Sequence, residues 1–221
     1  MDRLEPSAGE AILARRMSGN PEYFRRVDES DDGDFYVAPR LVIHVDEHGS
    51  AALTEFFGRA FKSGARVLDL MSAYRSHLPN DREYARIVGL GMNFTELLEN
   101  TALKGGVVQD LNCLPALPFA DDSFDTCLIS FSIQYLTQPA RVLADVARVL
   151  RPGGAIYVAY TNRMFPTKAV AVWRACSDAE RAQLIGSYLS EAGRFADFTT
   201  ERLVEEGTGF DPLCVVSVRR A

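Results

Sequence analysis

His44 and His77 are the side chains in this 221-residue sequence best suited to moving a proton near neutral pH. Each can instead be a structural residue, and His48, in a turn-like acidic stretch, reads as solvated. Asn162, Arg163 and Lys168 follow one strand-like run. An arginine and a lysine beside a pocket suit an acidic substrate group such as a carboxylate or phosphate; the alternative is that both are solvated loop charges. Gln134 and Tyr135 follow a second run and are pocket-lining candidates. Two carboxylates, Asp69 and Asp110, stand at or near the ends of apolar runs, ARVLDL and GVVQDL. There they can face a ligand or simply hold their own turns. Cys113, Cys127, Cys176 and Cys214 form no C-x-x-C pair and fit no zinc spacing. No metal site is expected, and the cysteines read as reduced thiols of a cytoplasmic protein.

The elements that position these residues alternate. Strand-like runs are expected at ARVLDL, at RIVGLGM (86–92), at GVVQDL, at FDTCLIS (124–130) and at AIYVAYT (155–161). Between them lie helical segments. One follows Ser76, and the short NFTELLEN is capped at Asn93 or Thr95. A longer one is capped at Thr137, with Val142, Leu143, Val146, Val149 and Leu150 on one face and RPGG as its stop. A helix with Leu53, Phe56, Phe57, Ala60 and Phe61 on one face precedes the first strand, capped at Ser50. Ser177 and Glu180 form a capping box that opens a helix ended by Gly193. Two final runs, FADFTTERLV and LCVVSVRR, have only a turn-rich loop between them and read as a hairpin. Trp173, with Val170 and Val172, is assigned to core or lid. Short helices are plausible over 11–17 and 21–27, and the acidic DESDDGDF (28–35) reads as a solvated loop.

Alternating strands and helices imply a doubly wound, Rossmann-like α/β fold, mostly parallel, with a C-terminal antiparallel hairpin. Ligands bind such sheets beyond the carboxyl ends of the strands. Those ends are 70–72, 91–93, 110–112, 130–132 and 161–163. A formal charge of −6 argues against nucleic acid held through its phosphates. No apolar run reaches the roughly 18 residues of a membrane span, and MDRLEPSAGE is not a signal peptide. Neither a small-molecule nor a protein partner is excluded; a small-molecule substrate is expected, with the chain a monomer or homodimer.

The order LPFADDSFDTCLIS, amphipathic helix, LRPGG and strand resembles the class I S-adenosylmethionine-dependent methyltransferases, in the small-molecule branch known as type 11. The resemblance covers roughly residues 50–221. It implies a seven-stranded sheet over 51–221, a substrate-side lid over 1–50, and S-adenosylmethionine as cofactor. The implied activity is methyl transfer to O, N or C of a small molecule. The alternative is a cofactor-binding relative that does lyase or cyclase chemistry, or none. The first motif of that family is an acid followed by alternate glycines. Here Asp69 is followed by Met71, Ala73 and Arg75 at those places. The turn must then run differently, or the cofactor must sit further out. The ribose-gripping acid at the end of the second strand is replaced by Gly91, with Asn93 as a neutral substitute. Asp110 and the Leu111 N–H would address the adenine. Asp69, Leu70, Met71, Ser72, Gly91, Met92, Asn93, Asp110, Leu111, Asn112 and Ser130 are the expected cofactor contacts. Tyr135, Asn162, Arg163 and Lys168 are the expected substrate contacts, with His77 and His44 as base.

Overall fold

The computed structural model describes residues 21–221; the expected helix over 11–17 lies outside them. Seven strands form one sheet: β1 (Ala65–Leu70), β2 (Tyr84–Gly91), β3 (Gly106–Val108), β4 (Phe124–Ser130), β5 (Leu150–Thr161), β6 (Phe195–Val204) and β7 (Leu213–Arg220). Their order is β3-β2-β1-β4-β5-β7-β6. Pairing is parallel from β3 to β5, and β7 runs antiparallel to both β5 and β6. The expected hairpin is there, with β7 inserted between β5 and the edge strand. The chain winds outward from β1 to β3 and then returns to β4, so the winding direction reverses between β1 and β4.

Burial explains the layering. Val67 on β1 packs with Leu53, Phe56, Phe57 and Tyr157, under the helix α2 (Glu47–Ala60). Its neighbour Leu68 points the other way, toward Val142, Val146, Trp173 and Leu184. Those residues belong to α4 (Pro139–Val149), α5 (Ala171–Ala175) and α6 (Asp178–Ala192). Two short helices complete the set, α1 (Asp32–Tyr36) and α3 (Phe94–Glu99). Trp173 is fully buried and belongs to the core. The edge strand β6 is largely exposed and carries Asp197, Glu201 and Arg202, charges that discourage edge-to-edge pairing. Among the described residues, no helix is long and apolar enough to cross a membrane.

Five local expectations are corrected. No helix follows Ser76: residues 71–83 run as turns and irregular backbone from β1 to β2. Asp46, not Ser50, caps α2, its carboxylate accepting the Gly49 N–H at 2.7 Å. Gln138 sits at the N-cap of α4, because Thr137 donates to Asn112 instead. RPGG does not merely stop α4; β5 starts at Leu150 and runs through it. DESDDGDF is not wholly a solvated loop: its second half, from Asp32, enters α1, and Asp32 is buried against Arg26 and Lys168. The capping box of Ser177 and Glu180, the Asn93 cap and the Gly193 stop stand as expected.

Candidate functional site

One cavity of about 860 Å³ lies over the carboxyl ends of β1, β2, β3, β4 and β5. Its floor carries Met71, Ser72, Gly91, Met92, Asp110, Leu111 and Ser130. Tyr36, Arg40, Val42 and His44 close it from the N-terminal side, and Asn162, Arg163 and Phe165 from the loop after β5.

The turn after β1 is built around a side chain. Asp69 is buried, and its Oδ2 accepts both the Ser72 and Ser76 hydroxyls, at 2.7 and 2.6 Å. Burial pushes its pKa up to about 6 in spite of these bonds. Met71, at the place of the first expected glycine, has φ +56°. The backbone is therefore left-handed there even though the residue is not glycine. The Ser72 N–H donates to Leu90 O at 2.8 Å, which draws the turn onto the end of β2. A Cβ at Gly91 would stand 2.2 Å from Ser72 O. No side chain, acidic or otherwise, fits at that position.

Asn93 is not a free ribose partner. Its Oδ1 accepts the Glu96 N–H at 3.1 Å, and its Nδ2 donates to Tyr36 O and Val37 O at 2.8 and 3.1 Å. Asp110 accepts the Asn112 N–H at 2.7 Å with one oxygen and the Cys113 thiol at 3.1 Å with the other. It therefore serves its own turn while it lines the cavity. The side chain of Asn112 is spent on Asp32, Tyr135 O and Thr137.

The two histidines separate. His44 lines the cavity, and burial, aided by Arg40, lowers its pKa. His77 does not reach it: it faces an adjoining void of about 10 Å³, with Nδ1 2.9 Å from Ser50 Oγ and Phe131 against its ring. Burial lowers its pKa to about 4. Asp69 borders the same void, and Leu70 lies wholly in the core. Lys168 is also absent from the cavity. It is fully buried, with Nζ 3.1 Å from Asp32 and 3.3 Å from Asp28. Arg163 and Asn162 line the rim, Arg163 paired with Asp211 at 2.7 Å. The Tyr135 hydroxyl accepts the Phe165 N–H at 2.9 Å, and the two rings stack. No sequence pattern marks Tyr36, Arg40 or Glu96 as lining residues; they lie in or against a segment without periodicity.

The doubly wound sheet, its C-terminal hairpin and a cavity at the reversal point define the class I methyltransferase fold. Residues 73–158 match the family model described as a methyltransferase domain. Over those residues the chain is similar to the class I S-adenosylmethionine-dependent methyltransferases, and it shares their fold. Among its relatives is the ubiquinone/menaquinone biosynthesis C-methyltransferase UbiE of Haemophilus ducreyi, 31% identical over 44% of this chain and 41% of that protein. The UbiE of Klebsiella pneumoniae is 33% identical over 50% of this chain and 38% of its own length. The matches thus span less than half of these relatives. Among solved structures, the [4+2]-cyclase SpnF superposes with TM-score 0.59 at 16% identity, covering 95% of this chain and 92% of that one. An S-adenosylmethionine-dependent methyltransferase from Mesorhizobium loti gives 0.55 at 19%, covering 77% and 98%. These likenesses concern the fold.

The cavity suits the family cofactor. The hydroxyls of Ser130 and Ser132, at its floor, are buried without hydrogen-bond partners. A polar ligand would satisfy them. Backbone approach at Gly91 leaves the end of β2 open.

Proposed function

We propose that this chain transfers a methyl group from S-adenosylmethionine to a small, largely apolar acceptor. The observation that carries this reading is a continuous cavity of about 860 Å³ spanning five strand ends. That volume is in the upper part of the roughly 300–1,000 Å³ typical of small-molecule sites, which leaves room for an acceptor beside a cofactor. When bound, S-adenosylmethionine supplies a methyl group on a positively charged sulfur. The turn from Met71 to Ala73, Ser130 and Asp110 would hold it. Residues 36–44 and the loop after β5 would cover the acceptor, with Phe165, Tyr135 and Tyr36 as apolar walls.

His44 is the base in this scheme. Its lowered pKa keeps the ring neutral at physiological pH, so it can take a proton from an acceptor hydroxyl, amine or carbon acid. The names of the UbiE relatives favour carbon as the methylated atom and a ring as its carrier. A second reading, cofactor binding without methyl transfer, is favoured by the absence of an acid at Gly91.

Calorimetric titration with S-adenosylmethionine and S-adenosylhomocysteine, followed by labelled-methyl transfer to a panel of hydroxylated aromatic acceptors, separates the two. Transfer supports the first reading; tight binding without transfer to any acceptor supports the second. With an acceptor in hand, His44→Ala should lower kcat/KM by about 10²-fold or more. S-adenosylhomocysteine affinity should hardly change. In the wild type, activity should fall as pH drops through a value below 6.5, where His44 becomes protonated. Retention of that acidic limb in His44→Ala would remove His44 from the role.

A further inference from the structure

Three carboxylates line the cavity among the described residues: Asp32, Glu96 and Asp110. Asp32 is saturated by Arg26, Lys168 and Asn112. Asp110 serves its own turn at the end of β3. Glu96 differs. It lies on α3, directly after β2, and is only 6% exposed. One of its oxygens accepts the Arg40 N–H at 2.7 Å. The other has no protein partner among the described residues. The Arg40 guanidinium is turned away, toward the rings of Phe35, Tyr36 and Phe165.

The end of β2 is where the family resemblance expects a carboxylate for the ribose hydroxyls. Gly91 cannot be replaced by one, because Ser72 O occupies the space. Asn93 cannot substitute, because both ends of its amide are engaged. We propose that Glu96 is the ribose-binding residue of this chain: its unshared oxygen receives the cofactor's 2′- or 3′-hydroxyl, an acid supplied from one helical turn beyond β2. Its other oxygen, fixed by the Arg40 N–H, sets the carboxylate's orientation and ties the covering segment to the bound ribose. This assignment rests on the reading of the cavity as a cofactor site.

The test is a cycle between protein and ligand. S-adenosylhomocysteine and its 2′-deoxy and 3′-deoxy analogues are titrated by calorimetry into wild type and Glu96→Gln, which keeps an oxygen for the Arg40 N–H. Wild type should lose about ten-fold in affinity on deletion of at least one hydroxyl, the loss expected for a hydrogen bond to a charged group. Glu96→Gln should bind the parent ligand about ten-fold more weakly and then be nearly indifferent to the same deletion. Equal losses in both proteins would overturn the role of Glu96 and leave the cofactor site intact. No binding of S-adenosylhomocysteine by wild type up to millimolar would overturn the site, and the Glu96 assignment with it.

Discussion

At the scale of single residues, the turn after β1 keeps a glycine-like backbone without glycine. Met71 is left-handed, a conformation that costs a non-glycine residue about 1–2 kcal/mol. Asp69 holds the turn by receiving two serine hydroxyls, and the Ser72 N–H holds it against β2. The Met71 side chain packs against the apolar core on that face of the sheet, which offsets part of the strain. The two contributions can be separated. Met71→Ala and Met71→Gly both remove the side chain, but only glycine relieves the backbone. Met71→Gly should therefore be more stable than Met71→Ala by about 1 kcal/mol in urea unfolding. Equal stabilities would mean that the left-handed conformation carries no strain here.

At the scale of elements, the segment covering the site is fastened by charge. Lys168, on the loop after β5, reaches Asp28 and Asp32 and donates to Ser30 O at 2.8 Å, while Arg26 grips Asp32 at 2.6 and 2.7 Å. Lys168→Met would leave buried Asp32 with Arg26 as its one cation, beside the Asn112 amide. The expected cost is about 3 kcal/mol, the scale of breaking a buried pair. It should appear first as faster hydrogen exchange at the Asp28 amide, which donates to Thr167 O at 2.9 Å. Unchanged exchange there would show that apolar contacts, not the lysine, dock the segment. This lock explains what the sequence hid. β4, β6 and β7 were readable to the residue, because each is a run of strand formers bounded by turn residues. The acidic cluster was misread because its partner Lys168 lies 138 residues beyond Ser30, and no local pattern records that distance. Glu96 was missed for the same reason, since its contact to Arg40 spans 56 residues. His77 looked catalytic because it follows the β1 turn, but a left-handed φ of +57° and the bond to Ser50 turn it toward α2.

At the scale of the whole molecule, the buried groups behind the cavity give folding stability opposed responses to acid. His77 is held neutral, its pKa lowered from 6.5 to about 4. The unfolded chain takes up that proton first, so stability falls as pH drops from about 6.5 to about 4. Asp69 behaves oppositely. Its pKa is raised from 3.8 to about 6, so the folded state takes up the proton first. That contribution is fully present below pH 3.8 and is lost as pH rises through about 6. Each displacement corresponds to about 3 kcal/mol between protonation states. Between pH 6 and 4 the two should nearly offset. Urea unfolding across this range should resolve them as difference curves. Wild type should gain about 3 kcal/mol on Asp69→Asn, whose amide oxygen can still accept from the serines, as pH falls from above 6 to below 4. It should lose a similar amount relative to His77→Gln over pH 6.5 to 4. Curves of the same sign would refute the opposition, and a flat Asp69→Asn curve would mean that the carboxyl stays ionised. In that case the two serine bonds offset burial in full, and the turn beneath the cavity keeps its negative charge down to the ordinary carboxylate range.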